Sequence, residues 1–393
     1  MEGVLPLAAE IVGLETACGR VLAQSIEART TQPPKDVSAM DGYAVRAVDC
    51  LAPPVRLTLI GAAAAGHGFL GSVGPKQAVR IFTGAPLPAG ADAIVIQEDA
   101  EAEDGAVVIR QAAVIGRWIR RCGADWQEGD RALAVGHVLS ARDIGVVAAM
   151  NHAWLRVRRR ARVGIIATGD EILLPGEPAG SATIFGGNAF MIAACVRAWG
   201  GEPIHLGIAP DDPAPLDNLL RATRGLDLIV TIGGASVGDH DLVKAALGRR
   251  GFDLAFHKVA MRPGKPLIAG RLDGVPLLGL PGNPVSSGVT ALIFLKPLLD
   301  RLHGRETEGP PLRQARLAVP LPANDERQDY LRAKLSRDGD DRFVARPFDR
   351  QDSALSLLFA TADGLVVRPP FAPPAEVGEV VEVIPFAEVT PGF

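Results

Sequence analysis

The sequence is short of aromatic residues and of cysteine. Aromatics are 5% of 393 residues, with two tyrosines, so the cores must be built from aliphatic side chains. The four cysteines, Cys18, Cys50, Cys122 and Cys195, show no Cys-x-x-Cys spacing. That argues against a disulfide framework or a cysteine zinc site and for buried free thiols in a reducing compartment. Apolar runs such as "IGVVAAM" and "VTALIFL" fall far short of the roughly 18 residues a membrane span needs. The opening "MEGVLPLAAEIVG" lacks a basic start and a cleavage signature. A cytoplasmic protein without a membrane partner is expected. There is no positive excess either: net charge is -4 and pI about 6.0. This speaks against a nucleic-acid binder driven by bulk charge, so any oxyanion site must be made locally. Neither Gly-x-Gly-x-x-Gly nor a P-loop occurs, and dinucleotide and NTPase readings get no support.

What is present is enough apolar residue, over enough chain, for two to four domains. The first 30 or so residues ("LPLAAEIVGLETACGRVLAQSI") read as helical and end at the breaker "TQPPKD". Residues 38–127 carry short apolar runs split by Gly, Pro and Asp ("VRLTLIG", "AVRIFTG", "GAVVIRQ"), a β-rich texture. Residues 128–158 return to helix and short strand. From 159 to 303, strand, Gly-bearing turn and helix alternate, as in a mostly parallel sheet covered by helices. After the polar "HGRETEGPP", residues 310–393 hold short strands and prolines that suggest a small β-barrel or sandwich.

In the α/β segment three Gly-bearing loops are expected to follow strands and open helices: "ATGDEI" (167–172), "IGGASVGDHD" (232–241) and "GLPGNPVSSG" (279–288). Ligands in open α/β sheets bind beyond the carboxyl ends of the strands. Glycines admit close backbone approach, and helix N-termini present free N–H groups to an anion. Ser236, Ser286 and Ser287 add hydroxyls. The plainer alternative is a set of tight turns with helix caps. Asp170, Glu171, Asp239 and Asp241 fall in loops at the same sheet edge, with Asp211 and Asp212 one strand over. Acids before helices can be simple N-caps. For Glu171 and Asp241 a Mg²⁺ or phosphate role competes, since Mg²⁺ takes one or two carboxylates plus substrate phosphates. His240 has no partner histidine at ligand spacing. Lys258, Arg262 and Lys265, inside "HKVAMRPGKPL", make either an oxyanion site or a solvated turn.

"SAMDGYAV", "TGAPLPAGADAIVIQED", "RRCGADW", "ATGDEI", "GGASVGDHD", "RPGKP", "GLPGNPVS" and "QDSALSLL", in this order along nearly the whole chain, resemble one family. It is the molybdopterin molybdenumtransferases of the MoeA type, similar to the E domains of Cnx1 and gephyrin. The resemblance implies an elongated homodimer with a multidomain α/β plus β fold. Residues 1–37 and 128–158 would form an extended N-terminal unit interrupted by a β-rich inserted domain (38–127). A three-layer molybdopterin-binding α/β domain (159–303) and a C-terminal β-barrel-like domain (310–393) would follow. The implied reaction inserts molybdate into adenylylated molybdopterin with Mg²⁺, releasing AMP and molybdenum cofactor. Implied partners include the molybdopterin adenylyltransferase and cofactor-recipient enzymes.

By motif match, Lys258, Arg262 and Arg332, with Lys265 close by and Ser353 as hydroxyl donor, would face molybdate, a dianion that calls for cationic donors. Glu171, Asp211 and Asp241 would surround the pyrophosphate, with Glu171 and Asp241 on Mg²⁺. Gly233, Gly234, Ser236, Gly238, Pro281, Gly282, Asn283, Pro284 and Ser286 would cradle phosphate and pterin. Asp41, Thr83, Arg120 and Asp125 would be brought to the cleft by the opposite subunit, Gly42 providing a turn and Tyr43 packing that loop. Three departures stand out: Arg262 where the family often has Lys, Ala235 in place of Val, and Asn188 without the usual preceding Asp-Ser. A non-catalytic molybdopterin-binding scaffold, an adenylylating relative and a tungstate-preferring paralogue are the alternatives. A scaffold could lose Lys258, Asp241 and Asp41, and the adenylylating domain would need neither the β-rich insertion nor the C-terminal tail.

Overall fold

The computed structural model describes residues 3–210, 223–234, 252–306 and 309–389. At its N-terminal end the expected helix is absent. "AEIVG" forms the strand Ala9–Gly13, paired antiparallel with Trp154–Arg158 from Ala9 opposite Arg158 to Gly13 opposite Trp154. The β-branched pair Ile11–Val12 suits a strand, and this long-range ladder overrides local helix preference. One turn of 3-10 helix, Leu14–Thr16, follows. A true helix forms at Ala141–Ala149, started by a capping box in which Ser140 Oγ accepts the Asp143 amide and Asp143 Oδ2 accepts the Ser140 amide. These pieces close over Leu22, Ile26, Leu139, Val147, Leu155 and Val157.

The β-rich region is a six-stranded mixed sheet. Its order is Ala93–Ile96, Gly42–Val45, Gln77–Ile81, Val55–Ala63, Ala106–Ile109, Ala100–Glu103. Gly42 does not make the turn expected of it. It opens an interior strand, paired with both Ile81 and Ile96, where a Cβ would lie 2.1 Å from the Val95 carbonyl oxygen. Close backbone approach, not a turn, requires the glycine. Tyr43 is buried beneath the Arg80 guanidinium, 5.0 Å from its ring centre.

A second six-stranded sheet runs Glu202–Ala209, Arg162–Thr168, Leu228–Ile232, Val275–Leu280, Ile268–Leu272, Asp253–His257. The first four strands are parallel and the last two antiparallel, which agrees with a mostly parallel sheet. Leu228–Ile232 is buried along its whole length, as expected of a central parallel strand. The helix Gly187–Ala198 and the run Pro284–Thr290, Ala291–Leu295, Lys296–Leu302 pack on it, the middle piece being a π-helical turn. The helices expected at 213–225 and 241–251 lie, except for 223–225, outside the described residues.

Five C-terminal strands close a barrel: Gln328–Arg337, Phe343–Pro347, Arg313–Leu317, Val380–Pro385 and Gly364–Arg368, the last pairing back to the first. Closure removes open edges from this β-unit. Of the cysteines, Cys50 and Cys195 are the buried free thiols expected, and burial pushes them up to about 11 and about 12. Cys18 and Cys122 are instead exposed, because each sits in a turn on the surface beside a left-handed glycine, Gly19 and Gly123.

Candidate substrate cleft at the strand ends

Three turns meet at the carboxyl ends of the parallel strands. The strand Leu228–Ile232 runs into Gly233 and Gly234, both with left-handed φ, of +91° and +66°. A Cβ on Gly233 would meet the Thr168 carbonyl oxygen at 2.8 Å, so only glycine lets this turn lie against the neighbouring strand end. The strand Val275–Leu280 runs into Pro281, Gly282, Asn283 and Pro284, and the Gly233 amide donates to the Leu280 carbonyl at 3.0 Å. The two glycine turns therefore lie side by side. Asn188, at the start of the helix Gly187–Ala198, donates from Nδ2 to the Gly282 carbonyl at 2.5 Å and ties that helix to the second turn.

Pro284 starts its helix at the position where a missing N–H costs nothing. Ser286 is buried, and its carbonyl accepts from Thr290 Oγ1 at 2.7 Å. Ser287 Oγ donates to the Pro281 carbonyl and so braces the turn from within. The "ATGDEI" loop behaves differently from expectation. It leads into the short strand Ile172–Leu173 rather than a helix, so it brings no helix N-terminus. Glu171 is exposed, and its carboxylate folds over Gly169, where a Cβ would meet Oε2 at 2.5 Å.

The turn carrying Lys258 and Lys265 leaves the sheet at this same end, because Ile268 pairs with Gly279 near the end of the neighbouring strand. Lys258 holds a left-handed φ of +73°, and both lysines are exposed. Arg262 turns elsewhere. Its guanidinium reaches Asn324, Asp325 and Asp329, fastening the short strand Met261–Arg262 alongside Gln328–Asp329 of the barrel. Arg332 is buried and spends its donors on Gln351 Oε1, at 3.1 and 3.0 Å, and on the Asp352 carbonyl at 2.6 Å. It thereby shapes the "QDSALS" loop, whose Ser353 accepts from Asn283 Nδ2 at 2.8 Å and whose carbonyl accepts the Val285 amide at 3.1 Å. The barrel is thus docked onto the second glycine turn.

A second polar cluster belongs to the β-rich region. Asp41 Oδ1 accepts from both the amide and the hydroxyl of Thr83, each at 2.7 Å, and these two bonds hold its carboxyl below the usual range. Arg120 and Asp125 line a cavity of about 770 Å³ together with Gln32, Lys35, Gly84 and Pro86. Asp36, which the motifs did not single out, pins the "RRCGADW" loop by accepting from Arg121 Nη1 at 2.6 Å and the Cys122 amide at 2.9 Å. Gln351 is the other residue missed, and its one signal was its place as the first residue of "QDSALSLL". Among the described residues no hydrogen bond or ion pair joins this cluster to the strand-end turns. Asp211, Ser236, Gly238 and Asp241 lie outside the described residues.

The arrangement offers two glycine turns with exposed lysines beside them, a set suited to binding phosphate and oxyanion groups. Comparison with known proteins agrees. Residues 1–151 match the MoeA N-terminal region (domain I and II), 164–301 a probable molybdopterin binding domain, and 314–386 the MoeA C-terminal region (domain IV). The chain is 33% identical to a molybdopterin molybdenumtransferase of Haemophilus influenzae, covering 97% of this chain and 95% of that one. It is 34% identical to a molybdopterin molybdenumtransferase of Bacillus subtilis over 95% of this chain and 89% of that one. A crystal structure of a molybdopterin biosynthesis MoeA protein from Pyrococcus horikoshii superposes with a TM-score of 0.82 at 33% identity, covering 97% and 96% of the two chains. On sequence and fold together, the chain belongs to the MoeA family of molybdopterin molybdenumtransferases.

Proposed function

We propose that this chain is a transferase that inserts molybdate into adenylylated molybdopterin, releasing AMP and completing the molybdenum cofactor. The observation that carries the reading is the paired glycine turns at Gly233–Gly234 and Pro281–Pro284, flanked by exposed Lys258 and Lys265. The turns expose backbone to the phosphates of a nucleotide-linked pterin. The lysines supply point charges to a tetrahedral dianion without an acid in contact. As anhydride cleavage develops charge on the departing phosphate, these donors stabilise it in place.

Mg²⁺ fits this site in one mode only. Among the described residues no group of three or more His, Cys, Asp or Glu could hold a metal ion, so they build no all-protein cage. The exposed Glu171 carboxylate beside Gly169 suits the other mode, in which one or two carboxylates act with substrate phosphates. Asp241 is the second carboxylate in this reading. When bound, the ion would offset charge on the pyrophosphate.

Asp41, Thr83, Arg120 and Asp125 act across a two-fold homodimer, lining the partner's cleft. The two separate polar clusters support that reading, since one chain leaves them without a direct link. The protein works in the cytoplasm, in keeping with the finding that no helix among the described residues is long and apolar enough to cross a membrane. The deciding experiment is AMP release from adenylylated molybdopterin by the purified chain. Release that needs both molybdate and Mg²⁺ supports the proposal. Tight binding of that substrate with no AMP released under any condition sinks it and favours a scaffold.

A further inference from the structure

A cavity of about 450 Å³ lies at the opposite end of the parallel sheet from the cleft, and its wall is cationic. Arg160 enters it just before the strand Arg162–Thr168 begins, so it opens at the amino ends of the strands. Arg20 and Arg158 come from the N-terminal unit, Arg197 from the helix Gly187–Ala198, and Lys296 and Arg305 from the last helix of the α/β region and its exit.

The negative groups nearby are too few to balance this wall. Asp300 is buried and takes both Lys296 and Arg305, each at 2.6 Å. Glu10, outside the cavity, takes Arg20. The helices Gly187–Ala198 and Lys296–Leu302 both end here, capped by Trp199 and His303, and each contributes about half a negative charge. Against six cations this leaves an excess of roughly three positive charges. Among the described residues Arg160 and Arg197 join no ion pair, and the buried Nε of Arg158 has no hydrogen-bond partner. In a chain of net charge -4, that concentration is not a consequence of composition.

One further group is set to donate. His303 is buried, and its Nε2 accepts the Ala161 amide at 3.2 Å. Burial, opposed by Asp300 and aided by Arg20, Arg305 and Arg160, pushes its pKa down to about 4. A neutral ring that accepts at Nε2 carries its proton on Nδ1, beside Gly200 at the cavity wall.

We propose that this cavity is a second anion site, built to bind a small, multiply charged phosphate-bearing ligand away from the substrate cleft. Arg160 and Arg197 hold the ligand's outer oxygens, while Arg158 and His303 Nδ1–H reach its inner ones. Its charge would make up the deficit between the N-terminal unit and the α/β sheet, so occupancy would stiffen that junction.

Calorimetric titration of the intact chain in magnesium-free buffer tests this, with inorganic pyrophosphate and AMP as probes. At least one probe should bind, and binding should weaken as salt rises. The double variant Arg160→Gln/Arg197→Gln should weaken it at least about tenfold, as expected when two charge-assisted contacts go. Arg197→Lys should stay within about threefold, because a lysine still meets phosphate as a point charge. Binding that survives the double variant but is lost in Lys258→Gln would assign the anion to the strand-end cleft and overturn the proposal. So would the absence of binding by either probe. Pyrophosphate binding without AMP binding supports a bare phosphate ligand, and the reverse supports a nucleotide. These outcomes are read without turnover, so they stand or fall separately from the transferase reading.

Discussion

The strand-end cleft and the β-rich cluster use their polar residues in different ways. In the β-rich cluster two acids are already engaged: Asp41 holds two donors from Thr83, and Asp36 holds Arg121 and the Cys122 amide. At the strand ends glycine turns braced by short side chains such as Asn188 and Ser287 do the shaping, and the lysines stand exposed. One region fixes its Asp41 and Asp36 carboxylates before substrate arrives, while the other presents groups that a phosphate or oxyanion would complete. The contrast teaches where rigidity and where charge are supplied in this chain. It can be broken or sharpened by asking whether both clusters serve one reaction.

The largest effect is expected from separating them genetically. Lys258→Ala and Asp41→Asn should each cut AMP release by about 100-fold or more, the first by removing a cation that stabilises developing negative charge and the second by misplacing the reacting groups. Neither should change the melting temperature, because both side chains are on accessible loops. Co-purified mixtures of the two variants are the sharper measurement. If the clusters meet across a two-fold axis, mixed dimers keep one intact site, and activity should return to about a quarter of wild type. No recovery would place both clusters in service of a single chain.

Next in size is Gly42→Ala. A Cβ 2.1 Å from the Val95 carbonyl forces the interior strand Gly42–Val45 away from the edge strand Ala93–Ile96, which should cost about 3 kcal/mol, the upper range for overpacking. Denaturant unfolding followed on the β-rich region would show it. A cost near zero would mean that the sheet yields there, and that the cluster is less rigid than its bonding suggests. Gln351→Ala should follow at about 2 kcal/mol, since it leaves the buried Arg332 guanidinium short of its main acceptor. A urea midpoint shift with an unchanged slope is the expected signature. The same change should loosen Ser353 from Asn283, so weaker molybdate dependence of turnover is expected alongside.

How far all this could be read from sequence depended on the range of the deciding contacts. The α/β strands and helices were legible because apolar period and glycine turns are local signals, as in "ARVGIIATG" and "NAFMIAACVRAWG". The N-terminal strand Ala9–Gly13 was not, since only its pairing with Trp154–Arg158 decides against a helix. Gly42 shows the same limit. Asp-Gly reads as a turn, and nothing nearby in sequence announces the Val95 carbonyl that excludes a side chain. Motif order pointed to the residues of both clusters. It did not reveal that Arg262 and Arg332 are spent on the barrel, because their partners Asp325, Asp329 and Gln351 lie in other segments. The basic cavity was equally hidden, its cations being scattered from Arg20 to Arg305.

The smallest effect bears on how Asp41 is held. Its carboxyl is depressed first by the Thr83 amide and then by the Thr83 hydroxyl, with Arg80 contributing at longer range. A depressed folded-state value means that the ionised form is the one the fold favours. The lock between Asp41 and Thr83 is therefore complete above the ordinary carboxylate value of 3.8 and is lost as pH falls through the lowered one. Thr83→Val removes the hydroxyl donor and keeps the amide, so the titration should move only part of the way back towards 3.8. Carboxyl-carbon NMR on the variant would record it, and global stability should barely change because the pair is exposed to solvent. A shift all the way to 3.8 would mean that the amide bond also breaks, and that the hydroxyl, not the backbone of the Thr83 loop, positions Asp41.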